Sequence, residues 1–213
     1  MIVDEFGELP IIDRVERFRG AVVGMRTDSV QFGERIHDRD YVTHFGAVAI
    51  VALDIDDRVL VILQYRHPVA ARLWEIPAGL LDIPGEDPLD AAKRELLEEA
   101  GVVATRWDVL LDYATTPGGS SELIRIYLAR DLTLLGERPR TDEAEEQDMP
   151  ALFVPIDELY EAVIAGAVCN TSIVAGTLAV RAARDSHWTT LRPAHAPWPL
   201  RSHLARHERV LRG

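Results

Sequence analysis

The chain has 213 residues, 47% hydrophobic and 27% charged, which is enough to bury a real core and too apolar for a wholly disordered protein. No apolar run approaches the ~20 residues of a membrane-spanning helix, and the first residues lack the basic start and apolar stretch of a secretory signal, so a cytoplasmic protein with no membrane partner is expected. A formal net charge of −12 argues against a general nucleic-acid binder, whose affinity comes from Lys and Arg at phosphates, but leaves room for an anionic small molecule held through cations.

The first 45 residues hold short strand-like pieces within 17–31 and 40–45, among them Ala21, Val22 and Val23 and the run 28–32. They read as a small β element ahead of the main fold. Two stronger strands follow at 46–53 and 59–66, and the acidic turn Asp54, Ile55, Asp56, Asp57 between them reads as a hairpin connection. A short strand at 72–76 runs into the breaker cluster Pro77, Ala78, Gly79 and then a loop carrying Pro84, Gly85 and Pro88. Over 89–103 the apolar residues Leu89, Ala92, Leu96, Ala100 and Val103 recur at helical spacing, which predicts a helix with one buried stripe, closed by Gly101.

Strands are expected again at 106–114 and 123–130, followed by a polar, acidic loop at 136–150. Order resumes from Phe153, with helices at 157–165 and 171–184, and the lone Cys169 reads as a small buried hydrophobe. From 186 onward the chain carries five arginines, four histidines, three prolines and two tryptophans, with only Glu208 acidic. That tail is either a docking segment for an acidic body or partner, or a partly ordered terminus. There is no internal repeat. The expected domains are a β element over 1–45, a main domain over 46–185 and a basic tail over 186–213.

On the predicted helix, Glu95, Glu98 and Glu99 project to one side, and Arg94 is the only base beside them. Each such like-charge pair costs roughly 0.2–0.5 kcal/mol on an isolated helix. Either the glutamates form a solvated face with some salt bridges, or they gather a hard divalent cation, since magnesium takes a few carboxylates together with water and substrate phosphate.

The wider pattern selects between these. Gly79, Glu86, and Arg94, Glu95, Leu96, Glu98, Glu99, Gly101 and Val102 resemble the signature of the Nudix hydrolases, G-x5-E-x7-R-E-U-x-E-E-x-G-U, with U a bulky apolar residue. One departure stands out: six residues, not five, separate Gly79 from Glu86, which changes the turn without moving the helix. The resemblance implies an α/β fold, an α/β/α sandwich with a mixed sheet, and cleavage of a nucleoside diphosphate linked to another moiety. It also implies that Glu95 and Glu99 are the metal carboxylates, for magnesium or manganese, with the Ala78 carbonyl as a further ligand. Glu98 becomes an auxiliary ligand or the holder of a metal-bound water. Glu86 and Arg94 become an ion pair that ties the loop to the helix.

Pro117 lies sixteen residues after Gly101 and opens the run Pro117, Gly118, Gly119, Ser120, Ser121, Glu122, similar to the ADP-ribose pyrophosphatase group of that family, in particular its actinobacterial-type members. Physically, Gly118 and Gly119 let backbone amides approach phosphate or sugar oxygens, and Glu122 can accept from ribose hydroxyls; alone, the segment would read as an ordinary turn. Upstream, Gln64, Tyr65, Arg66, His67 and the run from Leu73 through Glu75 to Gly79 also resemble the group. They nominate Arg66, as a forked phosphate contact, and Glu75 as substrate-binding residues. Arg66 reads otherwise as a strand-end salt bridge, and Trp74 as core.

In that group the N-terminal β element builds a homodimer and contributes to the partner's adenine site, where members often carry a stacking aromatic. Here Val22 and Val23 stand in that stretch, with Phe18 or an aromatic from elsewhere as the substitute, so the adenine contact stays unassigned. The acidic loop 142–149 matches the group's catalytic loop and nominates Glu146 as base or additional ligand, with Glu145 close behind; its other reading is a solvated charge run. The implied reaction is water attack on ADP-ribose to give AMP and ribose 5-phosphate. Rival readings are a related hydrolase of another sugar nucleotide or dinucleotide, and a ligand-sensing module without catalysis.

Overall fold

Three strands open the chain, β1 (Ile11–Arg19), β2 (Gly24–Phe32) and β3 (Arg35–Thr43), in a computed structural model that describes residues 2–136 and 149–210. β2 pairs antiparallel with both neighbours. Ala21, Val22 and Val23, expected as a strand piece, form the turn between β1 and β2 instead, closed by the Gly20 amide donating to the Val23 carbonyl at 2.8 Å. The β-branched side chains of Val22 and Val23 have no sheet face there to pack on and stay exposed. The strand expected within 40–45 begins earlier, at Arg35, because polar cross-strand pairs hold the charged part of β3: Thr27 Oγ1 donates to Asp40 at 2.6 Å and Ser29 Oγ to Asp38 at 2.7 Å.

The strongest of these polar contacts is buried. Arg14 donates Nε and Nη2 to the two oxygens of Asp28 at 2.6 and 2.5 Å, and the Tyr41 hydroxyl donates to Oδ2 at 3.1 Å. Burial pushes the Asp28 carboxyl up, but the Arg14 fork outweighs it and leaves the pKa below the usual carboxylate range. A depressed folded pKa adds stability above the unfolded value and loses it as the pH falls through the folded one. The stability gap between wild type and Asp28→Asn, followed by denaturant titration, should therefore close as the pH drops below about 4. A gap that stays constant into strong acid contradicts this role for the pair.

The described residues divide into two compact units, one drawn from Met1–Gly46, Ala114–Leu123 and Pro197–Gly213, the other from Ala47–Tyr113 and Ile124–Ala196. The second unit contains β4 (Ala47–Ala52), β5 (Arg58–Arg66), β6 (Ala71–Glu75), β7 (Ala78–Leu80), α1 (Pro88–Ala100) and most of β8 (Val102–Ala114) and β9 (Leu123–Leu134). It continues with β10 (Ala151–Pro155), α2 (Ile156–Ile164), α3 (Thr171–Asp185) and β11 (Arg192–Pro193). A last helix, α4 (Pro199–Val210), belongs to the first unit and has no counterpart in the sequence expectation.

β4 is an interior strand of a five-stranded mixed sheet ordered β11-β8-β9-β4-β7, running parallel to β9 and antiparallel to β7. All of its residues are buried, as an apolar run covered on both faces requires. Ala49, Val51 and Leu53 join Ile126, Leu128, Ile173 and Val180 in one core cluster, which places α3 on that face. Val48 points the other way beside its partner Gly79, whose missing Cβ would project at Glu95 of α1. Helices thus cover both faces of the sheet, the expected α/β/α sandwich.

The expected hairpin at Asp54–Asp57 needs correction. Pairing between β4 and β5 stops at the single Leu53–Val59 bridge, after which β5 joins a separate sheet ordered β10-β5-β6. Fully buried strands seek partners for both edges, and β4 finds them in β7 and β9. Val103 lies in β8 rather than ending the helix stripe, since Gly101 at φ 63° stops α1 and β8 begins at Val102. The breaker cluster also yields a short strand, because Ala78 and Gly79 pair with β4. Cys169 is exposed, not buried. Among the described residues no helix is long and apolar enough to cross a membrane.

Candidate active site

Helix α1 begins at a built cap. The Asp87 side chain accepts from the Leu89 amide at 2.8 Å with Pro88 in the first turn, a signal the sequence reading passed over. Ahead of it, the extra residue between Gly79 and Glu86 is absorbed by a turn in which the Glu86 amide donates to the Ile83 carbonyl at 3.2 Å. Pro84 and Gly85, at φ 82°, occupy its central positions as a type II turn prefers.

The three glutamates of α1 divide by depth. Glu95 and Glu99 are buried at 8% and 4% exposure, whereas the Glu98 side chain is a third exposed. Glu99 accepts from the Ala78 amide at 2.8 Å, which fixes its carboxylate against the start of β7. Glu95 packs over Gly79 so closely that a Cβ there would lie 1.9 Å from its carboxyl carbon. Arg94 grips the group from the other side: it donates to both oxygens of Glu86 at 3.0 and 3.1 Å, to Glu95 at 2.6 Å and to Glu98 at 3.1 Å. The hydrogen bonds Arg94 donates to Glu86 lead the causes that raise its pKa further above its ordinary value, so this base stays charged throughout.

Among the described residues no three His, Cys, Asp or Glu side chains stand together as a ready cage for a metal ion. The donor set nevertheless fits one kind of ion. Two buried carboxylates, packed at a glycine cradle beside the Ala78 backbone, supply the few hard oxygens that magnesium takes before water and substrate phosphate complete its shell.

On β5 and β6, Arg66 donates Nε and Nη2 to the two oxygens of Glu75 at 2.8 and 2.6 Å. Glu75 is 2% exposed while the Arg66 side chain is 42% exposed, so a buried acid holds a guanidinium whose far part reaches solvent. A phosphate contact by Arg66 would therefore be made with Glu75 already on one edge of the fork. Trp74 packs against the core cluster, as its plainer reading had it.

The other expected substrate residues belong to the first unit. Pro117, Gly118 and Gly119 form a turn closed by the amides of Gly119 and Ser120, both donating to the Thr116 carbonyl at 2.9 Å. Among the described residues a Cβ on either Gly118 or Gly119 would meet nothing within 4 Å, so no packing among them requires glycine there. Glu122 lies opposite His44, with Oε1 3.5 Å from Nε2; His44 was missed because a single histidine between apolar runs carries no spacing signal. Glu145 and Glu146, the candidate bases, lie outside the described residues.

The NUDIX domain family matches residues 43–169. An ADP-ribose pyrophosphatase of Mycobacterium tuberculosis is 44% identical over 180 residues, spanning 84% of this chain and 86% of that protein. An ADP-ribose pyrophosphatase of Bacillus subtilis is 33% identical over 63% of this chain and 72% of its own length. The methanol dehydrogenase activator of Bacillus methanolicus is 37% identical, with 68% and 77% covered. Among solved structures, an ADP compounds hydrolase shares the fold with a TM-score of 0.71 at 22% identity, over 88% of this chain and 100% of that one.

Proposed function

Because the chain belongs to the Nudix family, we propose that it hydrolyses the diphosphate of ADP-ribose to AMP and ribose 5-phosphate with magnesium or manganese. The observation that carries this reading is the burial of Glu95 and Glu99 against the Ala78–Gly79 backbone, inside a family motif complete but for one extra loop residue. Two buried carboxylates one helical turn apart are costly to desolvate, and a divalent cation would offset that cost beyond what Arg94 already supplies to Glu95.

Glu95, Glu99 and the Ala78 carbonyl would hold the ion, with Glu98 as an auxiliary ligand. Bound there, it would neutralise diphosphate charge, orient the attacking water and lower that water's pKa. Arg94 keeps Glu95 and Glu98 oriented and, through Glu86, ties the preceding loop to the helix. Arg66, held by Glu75, contacts a phosphate, Gly118 and Gly119 offer backbone amides, and Glu122 accepts from ribose hydroxyls. Glu146, or Glu145 beside it, takes the proton from the water. The β element over 1–45 is assigned to pairing with a second copy, on the strength of the exposed Ile12, Phe18, Met25 and Ile36.

The substrate assignment is tested by steady-state rates on a panel of ADP-ribose, other nucleoside diphosphate sugars and dinucleotides. ADP-ribose should give the highest kcat/KM, by about tenfold or more. A higher value for a different sugar nucleotide would reassign the substrate while keeping the chemistry.

A further inference from the structure

Glu122 sits in a loop rather than on a strand or helix, and one short segment of the same unit holds that loop. The Val42 amide donates to the Gly119 carbonyl at 2.9 Å, the Ser121 amide donates to the Val42 carbonyl at 3.0 Å, and Val42 bridges Ser120. Two residues on, the His44 amide donates to Ser121 Oγ at 3.0 Å. These contacts settle the backbone of the loop. The carboxylate of Glu122 is a separate matter, because its side chain has three rotatable bonds and is 28% exposed.

The imidazole of His44 addresses that side chain. Its Nδ1 accepts from the Gly46 amide at 3.1 Å, so in the neutral ring the single proton lies on Nε2. Nε2 faces Glu122 Oε1 across 3.5 Å, from a side chain only 11% exposed. The Gly46 amide thus fixes the tautomer and leaves the Nε2 proton on the side of the carboxylate, a close approach rather than a formed hydrogen bond. We propose that His44 is a positioning residue for sugar recognition: it holds the Glu122 carboxylate in place before substrate arrives. A carboxylate has about four acceptor sites, so one contact with His44 leaves others for sugar hydroxyls. Holding a flexible acceptor beforehand lowers the ordering cost of binding, so the effect falls on KM rather than on the chemical step. The proposal rests on the assignment of Glu122 to the ribose.

Two substitutions separate this role from a structural one. In His44→Asn the amide oxygen takes the place of Nδ1 and keeps the Gly46 contact, but nothing reaches Glu122. In His44→Gln the terminal amide nitrogen takes the place of Nε2 and keeps a donor toward Glu122. Steady-state kinetics on the full chain, with ADP-ribose and saturating magnesium, should show KM raised about tenfold in His44→Asn with kcat within about twofold. His44→Gln should stay within about twofold of wild type on both constants, and His44→Asn should add nothing in a Glu122→Ala background. Any other ordering of the two variants, or equal increments with and without Glu122, overturns the proposal. If wild type turns over ADP-ribose and Glu122→Ala leaves KM unchanged, the proposal falls while the activity stands. If wild type does not turn it over, the functional reading fails first and takes the proposal with it.

Discussion

Replacing Glu99 by glutamine lowers turnover of ADP-ribose by at least about a hundredfold and leaves the protein folded. The fold survives because the amide oxygen of glutamine can still accept from the Ala78 amide, the contact that seats Glu99 at 2.8 Å. Removing one of two neighbouring buried charges relieves repulsion on α1, worth roughly 0.2–0.5 kcal/mol on an isolated helix, so the metal-free variant should melt no lower than wild type. What disappears is a charged ligand, and a metal contributes several kcal/mol of transition-state stabilisation, with about 1.4 kcal/mol for each factor of ten. Thermal melts with and without magnesium give a second readout: wild type is stabilised by the ion through mass action, and Glu99→Gln is not. Undiminished hydrolysis by Glu99→Gln at saturating magnesium would remove α1 from the chemistry.

Gly79→Ala should also cost about a hundredfold in kcat, for a different reason. The new Cβ would lie 1.9 Å from Cδ, 2.0 Å from Oε1 and 2.3 Å from Cγ of Glu95. Nothing can remain at those distances, and the flexible end of Glu95 gives way more easily than β7, which is paired to β4. Melting temperature therefore changes modestly while one carboxylate leaves its place. A misplacement of about 1 Å at a reacting centre costs on the order of a hundredfold. Full activity in Gly79→Ala would mean that the position of Glu95 over Gly79 has no bearing on catalysis; a collapse in stability would mean that the backbone, not Glu95, had yielded.

Much of this site was legible because its parts are close in sequence. Glu86, Arg94, Glu95, Glu98, Glu99 and Gly101 belong to one loop and one helix, where spacing determines geometry, and the Glu86–Arg94 pair is found as expected at 3.0 Å. Depth was not legible: helical periodicity puts the three glutamates on one side but says nothing of a strand edge arriving at Ala78 to bury two of them. The Glu75 partner of Arg66 was visible as a residue but not as a pair, since it depends on the β5–β6 register that places Arg66 beside Ala71 and Ile62 beside Glu75. The false hairpin arose because a turn between two apolar strands looks the same whether they stay paired or diverge into different sheets. The first part of β3, residues 35–39, and α4 escaped for a shared reason, a high content of charged residues and histidine. One is held by cross-strand polar pairs; the other carries Arg201, which donates to the Phe45 carbonyl at 3.0 Å, and His203, stacked on Phe6.

The central claim is that the buried carboxylates of α1 serve a metal-dependent cleavage of ADP-ribose. It is tested most directly by incubating the purified full chain with ADP-ribose, with magnesium or manganese and then with chelator, and identifying the products by chromatography. Equimolar AMP and ribose 5-phosphate with either ion, and none with chelator, is the result expected. Folded protein that cleaves nothing with either ion, or that cleaves equally well in chelator, would contradict it.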